Sequence, residues 1–135
     1  VSLEDNSQYI INSEFSEIKY ENNVEIVLMN NVIATFVDKN NVRMTITGDN
    51  AIFNKSTYNT NFYDNVKATY LDNTVVSDKL DLNFVQNIVT IYDNVVYEGL
   101  EGIMKTDNVI INLLTKNAEV FMNNPKKKVE ISKKN

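Results

Sequence analysis

The 135-residue chain contains no cysteine and no histidine. Their absence excludes thiol nucleophiles, disulfides, thiolate or imidazole metal sites and serine–histidine chemistry. It leaves the compartment open, because a secreted protein can do without disulfides. Glycine occurs three times and proline once, so the turns must be built from other residues. No apolar run approaches the ~20 residues that a membrane-crossing helix needs, and no signal peptide is recognisable in the stretch that starts at Val1.

Positive charge is also scarce over most of the length. Residues 1 to 124 hold 8 Lys and Arg against 17 Asp and Glu, whereas 125 to 135 hold Lys126, Lys127, Lys128, Lys133 and Lys134 against Glu130 alone. An acidic body argues against a nucleic-acid partner, which selects a basic face. The Lys-rich end reads as a solvated tail.

What is present points to a folded β protein. Apolar residues make up 43% and aromatics 10%, enough to build one core in a chain of single-domain length. No window of helical length sets apolar residues at i, i+3, i+4 and i+7 between caps; short stretches alternate instead, as half-buried strands do. Val24, Ile26 and Leu28 alternate with their neighbours, and so do Val32, Ala34 and Phe36, then Met44 and Ile46, Ala51 and Phe53, and Val66, Ala68 and Tyr70. The theme continues through Leu80, Leu82 and Phe84, Val89 and Ile91, Val95 and Tyr97, Val109, Ile111 and Leu113, and Ala118, Val120 and Met122. Roughly a dozen short strands are expected, with Leu80, Leu82, Val109 and Ile111 inside and Lys79, Asp81, Asn108 and Asn112 outside. Asn occurs 23 times and clusters between these stretches, where its tolerance of positive φ lets it do the work of glycine.

The alternation is organised by a repeat. Gly48-Asp49-Asn50-Ala51-Ile52-Phe53-Asn54, Ser77-Asp78-Lys79-Leu80-Asp81-Leu82-Asn83 and Thr106-Asp107-Asn108-Val109-Ile110-Ile111-Asn112 share one pattern: small, Asp, any, apolar, any, apolar, Asn. Asp64-Asn65-Val66 and Asp93-Asn94-Val95 keep the same interval, about 29 residues, which fades at Met122-Asn123-Asn124. A fixed period of this length means one supersecondary unit stacked on its copies. About four units are expected, the first degenerate, forming an antiparallel sandwich, barrel or roll. A parallel β-helix fits less well, because each unit holds two or three strands with hairpin-like turns. The domain reading is a frayed start (1–7), one repeat domain (8–124) and a basic tail (125–135).

Chemistry-bearing constellations are weak. Asp49, Asp78 and Asp107 recur once per unit, too sparsely for the six to eight oxygens of a Ca²⁺ site, and read as turn or strand-entry residues. Nothing sets Asp93, Glu98 and Glu101 across a cleft as a glycosidase pair. The expectation is therefore no enzyme, no catalytic residue, no metal and no cofactor. Two other classes stay open: a self-assembling β-repeat scaffold, and a carbohydrate-binding module, for which Tyr58, Tyr63 and Tyr92 are the available aromatics.

The repeats resemble those of a known family. Gln8-Tyr9-Ile10-Ile11-Asn12-Ser13-Glu14, Met29-Asn30-Asn31-Val32-Ile33-Ala34, the Gly48 to Asn54 copy, Asp64-Asn65-Val66, Ser77-Asp78, Asp93-Asn94-Val95-Val96-Tyr97 and Lys105-Thr106-Asp107 look like the OstA-type β-jellyroll of the lipopolysaccharide transport proteins LptA, LptC and the amino-terminal part of LptD. The likeness covers about residues 8 to 124 and is greatest to LptC, with Asn or Asp where the family has Gly. It implies an all-β antiparallel jellyroll with an open apolar trough. The implied site is the periplasm, anchored by an amino-terminal inner-membrane helix outside this sequence. The implied role is to receive lipopolysaccharide from the inner-membrane ABC transporter and pass it to an LptA-like bridge; the alternative is such a bridge component itself.

By alternation alone, the inward stripe of Val32, Ala34, Phe36, Ile46, Phe53, Val66, Ala68, Tyr70, Leu82, Ile91, Tyr97 and Ile111 is core. The resemblance implies that it contacts lipid A acyl chains. Buried methylenes contribute about 0.8 kcal/mol each, so a conveyor should bury the chains only in part. The last strand, Ala118, Val120 and Met122, is the expected docking edge for the LptA-like partner, or for a second copy in a homodimer, because an open roll ends in unpaired backbone groups. Pro125 and the Lys126 to Lys128 run would blunt that edge against self-polymerisation.

Overall fold

In a computed structural model, residues 6–100, 102–122 and 130–132 are described. They form nine strands: β1 (Gln8–Glu21), β2 (Val24–Val37), β3 (Arg43–Asn54), β4 (Thr60–Tyr70), β5 (Asn73–Asn83), β6 (Ile88–Gly99), β7 (Gly102–Asn112), β8 (Ala118–Phe121) and β9 (Glu130–Ser132). All pair antiparallel in one sheet in the order β1 to β8, each beside its sequence neighbour, and β9 shares the far edge of β7 with β8. The outer edges of β1 and β8 have no strand partner among the described residues, so the sheet is open.

The strands are fewer and longer than the alternation predicts, and the reason lies in the Asn pairs. Asn22 and Asn23, at φ of 51° and 65°, make a two-residue hairpin between β1 and β2, a turn that requires positive φ at both positions. Asn30-Asn31, Asp64-Asn65 and Asp93-Asn94 do not end strands. Asp64, Asn65, Asp93 and Asn94 hold φ of 67°, 52°, 65° and 57° inside β4 and β6, and the pairing register slips beside them. These are bulges, which bend a strand without terminating it. Each 29-residue unit is therefore one pair of long strands. The motif Asp crosses to the next bulge: Asn65 donates to Asp49 at 2.7 Å and Asn94 to Asp78 at 2.6 Å. The closing Asn caps a turn, with Asn54 Oδ1 accepting from Ser56 and Thr57 N–H, Asn83 Oδ1 from Gln86, and Asn112 Oδ1 from Leu114 and Thr115.

The bulge row divides the sheet into two halves that face each other. Tyr9 shares a rung with Phe36, Met44 and Tyr70 on one side of the row, yet its hydroxyl lies 2.8 Å from Thr60 Oγ1 on the other side. Its ring stands edge-on to Phe84 at 4.9 Å, and Phe84 also meets Phe36 at 5.9 Å. One continuous sheet is thus folded over its own bulges to enclose a core. Ile46, Leu80, Val66 and Val89 are wholly buried there, each contributing on the order of 2 kcal/mol by leaving water. Lys79 and Asp81 face outward and Leu80, Leu82 and Val109 inward, as the alternation requires; Ile111 is half-buried. Asn108 departs from expectation: it is 9% exposed, flanked in register by Tyr92 and Phe121, neighbours that alternation along β7 alone does not reveal.

Candidate functional site

The inner face is a ladder of rungs that cross every strand. One runs Ile18, Val27, Phe53, Thr60, Leu82, Val89, Ile111 and Ala118 through successive register pairs. A second, beyond the bulge row, runs Ile11, Ala34, Ile46, Ala68, Val75, Tyr97 and Met104. All twelve residues of the sequence-derived stripe lie on this face. Val32, Ala34, Phe36, Ile46, Phe53, Val66, Ala68, Leu82 and Ile91 are in the buried core, while Tyr70, Tyr97 and Ile111 are partly buried against it. The stripe carries no charged side chain. Burial pushes the Tyr9 phenol above its ordinary range, against the smaller opposing effect of its hydrogen bond to Thr60, so it stays neutral in the core.

The face does not close evenly. In the second half of β1, Ile18 and Tyr20 share rungs with Val27 and Glu25 but are 55% and 74% exposed. Phe15, on the same edge strand, is also exposed. At the opposite corner, a cleft of about 460 Å³ is lined by Leu71, Asn73, Tyr97, Gly99 and Leu100, and the Tyr97 hydroxyl donates to Asn73 Oδ1 at 2.6 Å. Apolar inner surface is thus uncovered at both ends of the roll.

One polar latch fastens the two halves. Asp38, after β2, accepts from the backbone N–H of Asn40 at 2.8 Å and of Val42 at 2.9 Å, and pairs with Lys116 Nζ at 3.3 Å. Lys116 also donates to the Leu113 carbonyl at 2.7 Å and stands 5.7 Å over the Phe36 ring. Burial alone would raise the Asp38 pKa, but those two backbone bonds and the Lys116 cation outweigh it and hold the carboxyl below its ordinary value. Sequence reasoning missed this pair, because 78 positions separate Asp38 from Lys116.

The other expected positions fall as follows. Ala118 and Val120 pair with Ile111 and Val109 in β8, an open edge, whereas Met122 lies just past the strand, its sulfur 3.4 Å from Thr106 Oγ1. Pro125 and Lys126 to Lys128 lie outside the described residues. Within the expected tail, β9 pairs Ser132 with Ile103 and Glu130 with Lys105. Ser7, assigned to the frayed start, is buried at 1% exposure. Asp49, Asp78 and Asp107 stand on β3, β5 and β7, and among the described residues no three metal-ligating side chains come together. Asp93 is held by Lys79 at 3.5 Å; Glu101 lies outside the described residues.

At the level of sequence, no protein-family model and no curated protein matches the chain. In three dimensions it is similar to the crystal structure of LptH, the LptA-homologous periplasmic component of the lipopolysaccharide transport device of Pseudomonas aeruginosa. The TM-score is 0.70 over 95% of this chain and 96% of that one, at 8% sequence identity. The chain has the LptA-like fold, an open antiparallel β-jellyroll without helices among the described residues.

Proposed function

We propose that this protein is a periplasmic lipopolysaccharide-transport component whose inner apolar stripe takes up lipid A acyl chains. The observation that carries the reading is the end-to-end match to the LptH fold, in a roll whose inner face is apolar and whose ends leave that face uncovered. Because the stripe is filled by its own side chains, acyl chains enter by parting the two halves of the sheet. The Asp38–Lys116 latch and the Tyr9–Thr60 bond are polar contacts that such parting must break. An apolar face that repacks around a chain and closes again offers partial burial, which suits release better than a deep pocket would.

The finer role we assign is LptC-like: receipt from the inner-membrane transporter, with an amino-terminal helix as anchor, and delivery to an LptA-like protein at the carboxyl-terminal edge. The alternative is an LptA-like bridge, a reading that the similarity to LptH supports equally, and the exposed Phe15, Ile18 and Tyr20 on β1 would give such a bridge a second docking edge. Photo-crosslinking tests the common core of both roles. Benzoylphenylalanine in place of Phe36, Tyr70 or Tyr97 keeps an aromatic ring on the inner face and should capture lipopolysaccharide, while the same group at the outward Lys67 or Thr69 should not. Equal capture at both sets would mean that lipid adheres to the surface and the stripe is ordinary core.

A further inference from the structure

A second cleft, of about 300 Å³, opens on the outward rungs of the sheet, with Leu82 of the apolar stripe reaching its lining. Ile26 of β2 and Ile52 of β3 are among its lining residues, and around them stand Asn54, Asn59, Asn61 and Asp81. The rungs explain the grouping. Ile26 pairs with Asn54, Ile52 with Asn61, and Asn61 with Asp81, so residues far apart in sequence become neighbours on two adjacent outward rungs.

Each polar group has part of its hydrogen-bonding capacity committed and part left over. Asn54 Oδ1 caps its own turn, and Asn59 Oδ1 accepts from Phe84 N–H at 2.8 Å. The side-chain nitrogens of both have no partner among the described residues. Asn61 donates to Asp81 Oδ1 at 2.8 Å, which leaves the Asn61 oxygen as an acceptor. Asp81 also accepts from the Tyr92 hydroxyl, whose pKa is pushed up to about 12 by burial first and by that carboxylate second. Among the described residues no cation is paired with Asp81; the nearby Lys79 is held by Asp93.

This combination selects a ligand class. An anion is repelled by the unpaired Asp81 carboxylate. A simple cation finds an acceptor there but nothing for the amide N–H groups to donate to. A hydroxyl-rich ring satisfies both, because each hydroxyl donates and accepts, while its C–H face covers the isoleucines. We infer that the outer cleft bounded by Asn54, Asn59, Asn61 and Asp81 is a binding site for an uncharged pyranose, at the low end of the size range of small-molecule sites. Its ligand is either a free saccharide or the sugar of a glycolipid. The cleft shares Leu82 with the acyl stripe, but its four polar groups lie outside that stripe, and the inference does not rest on the lipid-transport reading.

The test is a titration of ¹⁵N-labelled protein, following the side-chain amide signals of Asn54, Asn59 and Asn61. Glucose, galactose and N-acetylglucosamine serve as free sugars, octyl glucoside below its micelle concentration as the lipid-borne one, and phosphate as the anion control. Saturable shifts at these amides with at least one free sugar and none with phosphate are expected. Asp81→Ala, with an unchanged far-ultraviolet spectrum, should weaken the binding about tenfold, the loss of one hydrogen bond to a charged group. Ile52→Glu, which places a charge on the cleft floor, should abolish it should the first variant fold poorly. Absence of saturable shifts with every free sugar, or unaltered binding in both variants, overturns the assignment. A response to octyl glucoside alone also overturns it, because the chain rather than the ring would then be recognised.

Discussion

The hydroxyl of Tyr9, on the edge strand β1, lies 2.8 Å from Oγ1 of Thr60, on β4 near the middle of the sheet. These residues belong to opposite sides of the bulge row, so their bond reports directly on the folding-over of the sheet. Thr60 Oγ1 also donates to the Tyr58 carbonyl at 3.1 Å, and Tyr9 therefore supplies the proton of the shared bond. Tyr9→Phe should cost about 1 kcal/mol, the net worth of one hydrogen bond, whereas Tyr9→Ala should cost about 3–5 kcal/mol through the cavity it leaves among Phe53 and Phe84. Urea unfolding of the two variants measures both; equal losses would mean that the bond, not the ring, is the whole contribution.

The latch should make stability depend on acid. The carboxyl of Asp38 titrates below its unfolded value of 3.8, so its contribution is fully present above that pH and is lost as pH falls through the lower folded value. Asp38→Asn should flatten this acid limb of the unfolding midpoint against pH and change little of its shape above pH 5. An acid limb of undiminished slope would assign it to other carboxylates.

If acyl chains enter by parting the halves, fastening the latch covalently should stop them. The chain has no cysteine of its own, so a variant with Asp38→Cys and Lys116→Cys can be bridged by a short bifunctional thiol reagent. The bridged form should lose most lipid uptake, the unbridged form should retain it, and both should show the same far-ultraviolet spectrum. Undiminished uptake by the bridged form would place entry elsewhere.

Leu71 turns the chain between β4 and β5 at φ of 53° with its side chain 67% exposed. A left-handed conformation costs a non-glycine residue roughly 1–2 kcal/mol, and little burial opposes its replacement. Leu71→Gly should therefore raise stability by up to about 1 kcal/mol, part of the gain being offset by the freedom that glycine has when unfolded. Thermal unfolding decides the sign.

Val120 sits in the four-residue edge strand β8, opposite Val109. Val120→Pro removes a ladder donor and should weaken capture of an LptA-like partner while the distant repeats stay folded. Unchanged affinity would move the docking edge to β1.

Most of the fold was legible because alternation and period are local signals. Leu80, Leu82 and Val109 face inward as read, and the interval from Gly48 to Ser77 to Thr106 correctly announced a repeated unit. The errors share one cause. Asp64-Asn65 and Asp93-Asn94 have turn chemistry, but whether two left-handed residues reverse a chain or bend it depends on what the neighbouring strand does, and sequence does not display that neighbour. The same holds for the sites. The twelve residues read as an inward stripe all lie on the inner face, since burial follows from pattern. The Asp38–Lys116 latch and the outer cleft of Asn54, Asn61 and Asp81 were not, since each is assembled by register across strands.

Among the described residues, every strand from β2 to β6 pairs only with its immediate predecessor and successor, and the fold is made by creasing that ribbon along one line. Nothing in such an arrangement fixes how many strands there must be. A further 29-residue unit inserted between β5 and β6 would find the same kind of Asp partner, the same capped turn and the same crease, and would lengthen the roll by two strands while repeating the same neighbour-to-neighbour pairing. Reach is thus a variable that gene duplication can set almost freely, and a protein that must span a given gap could be measured out in units of this kind.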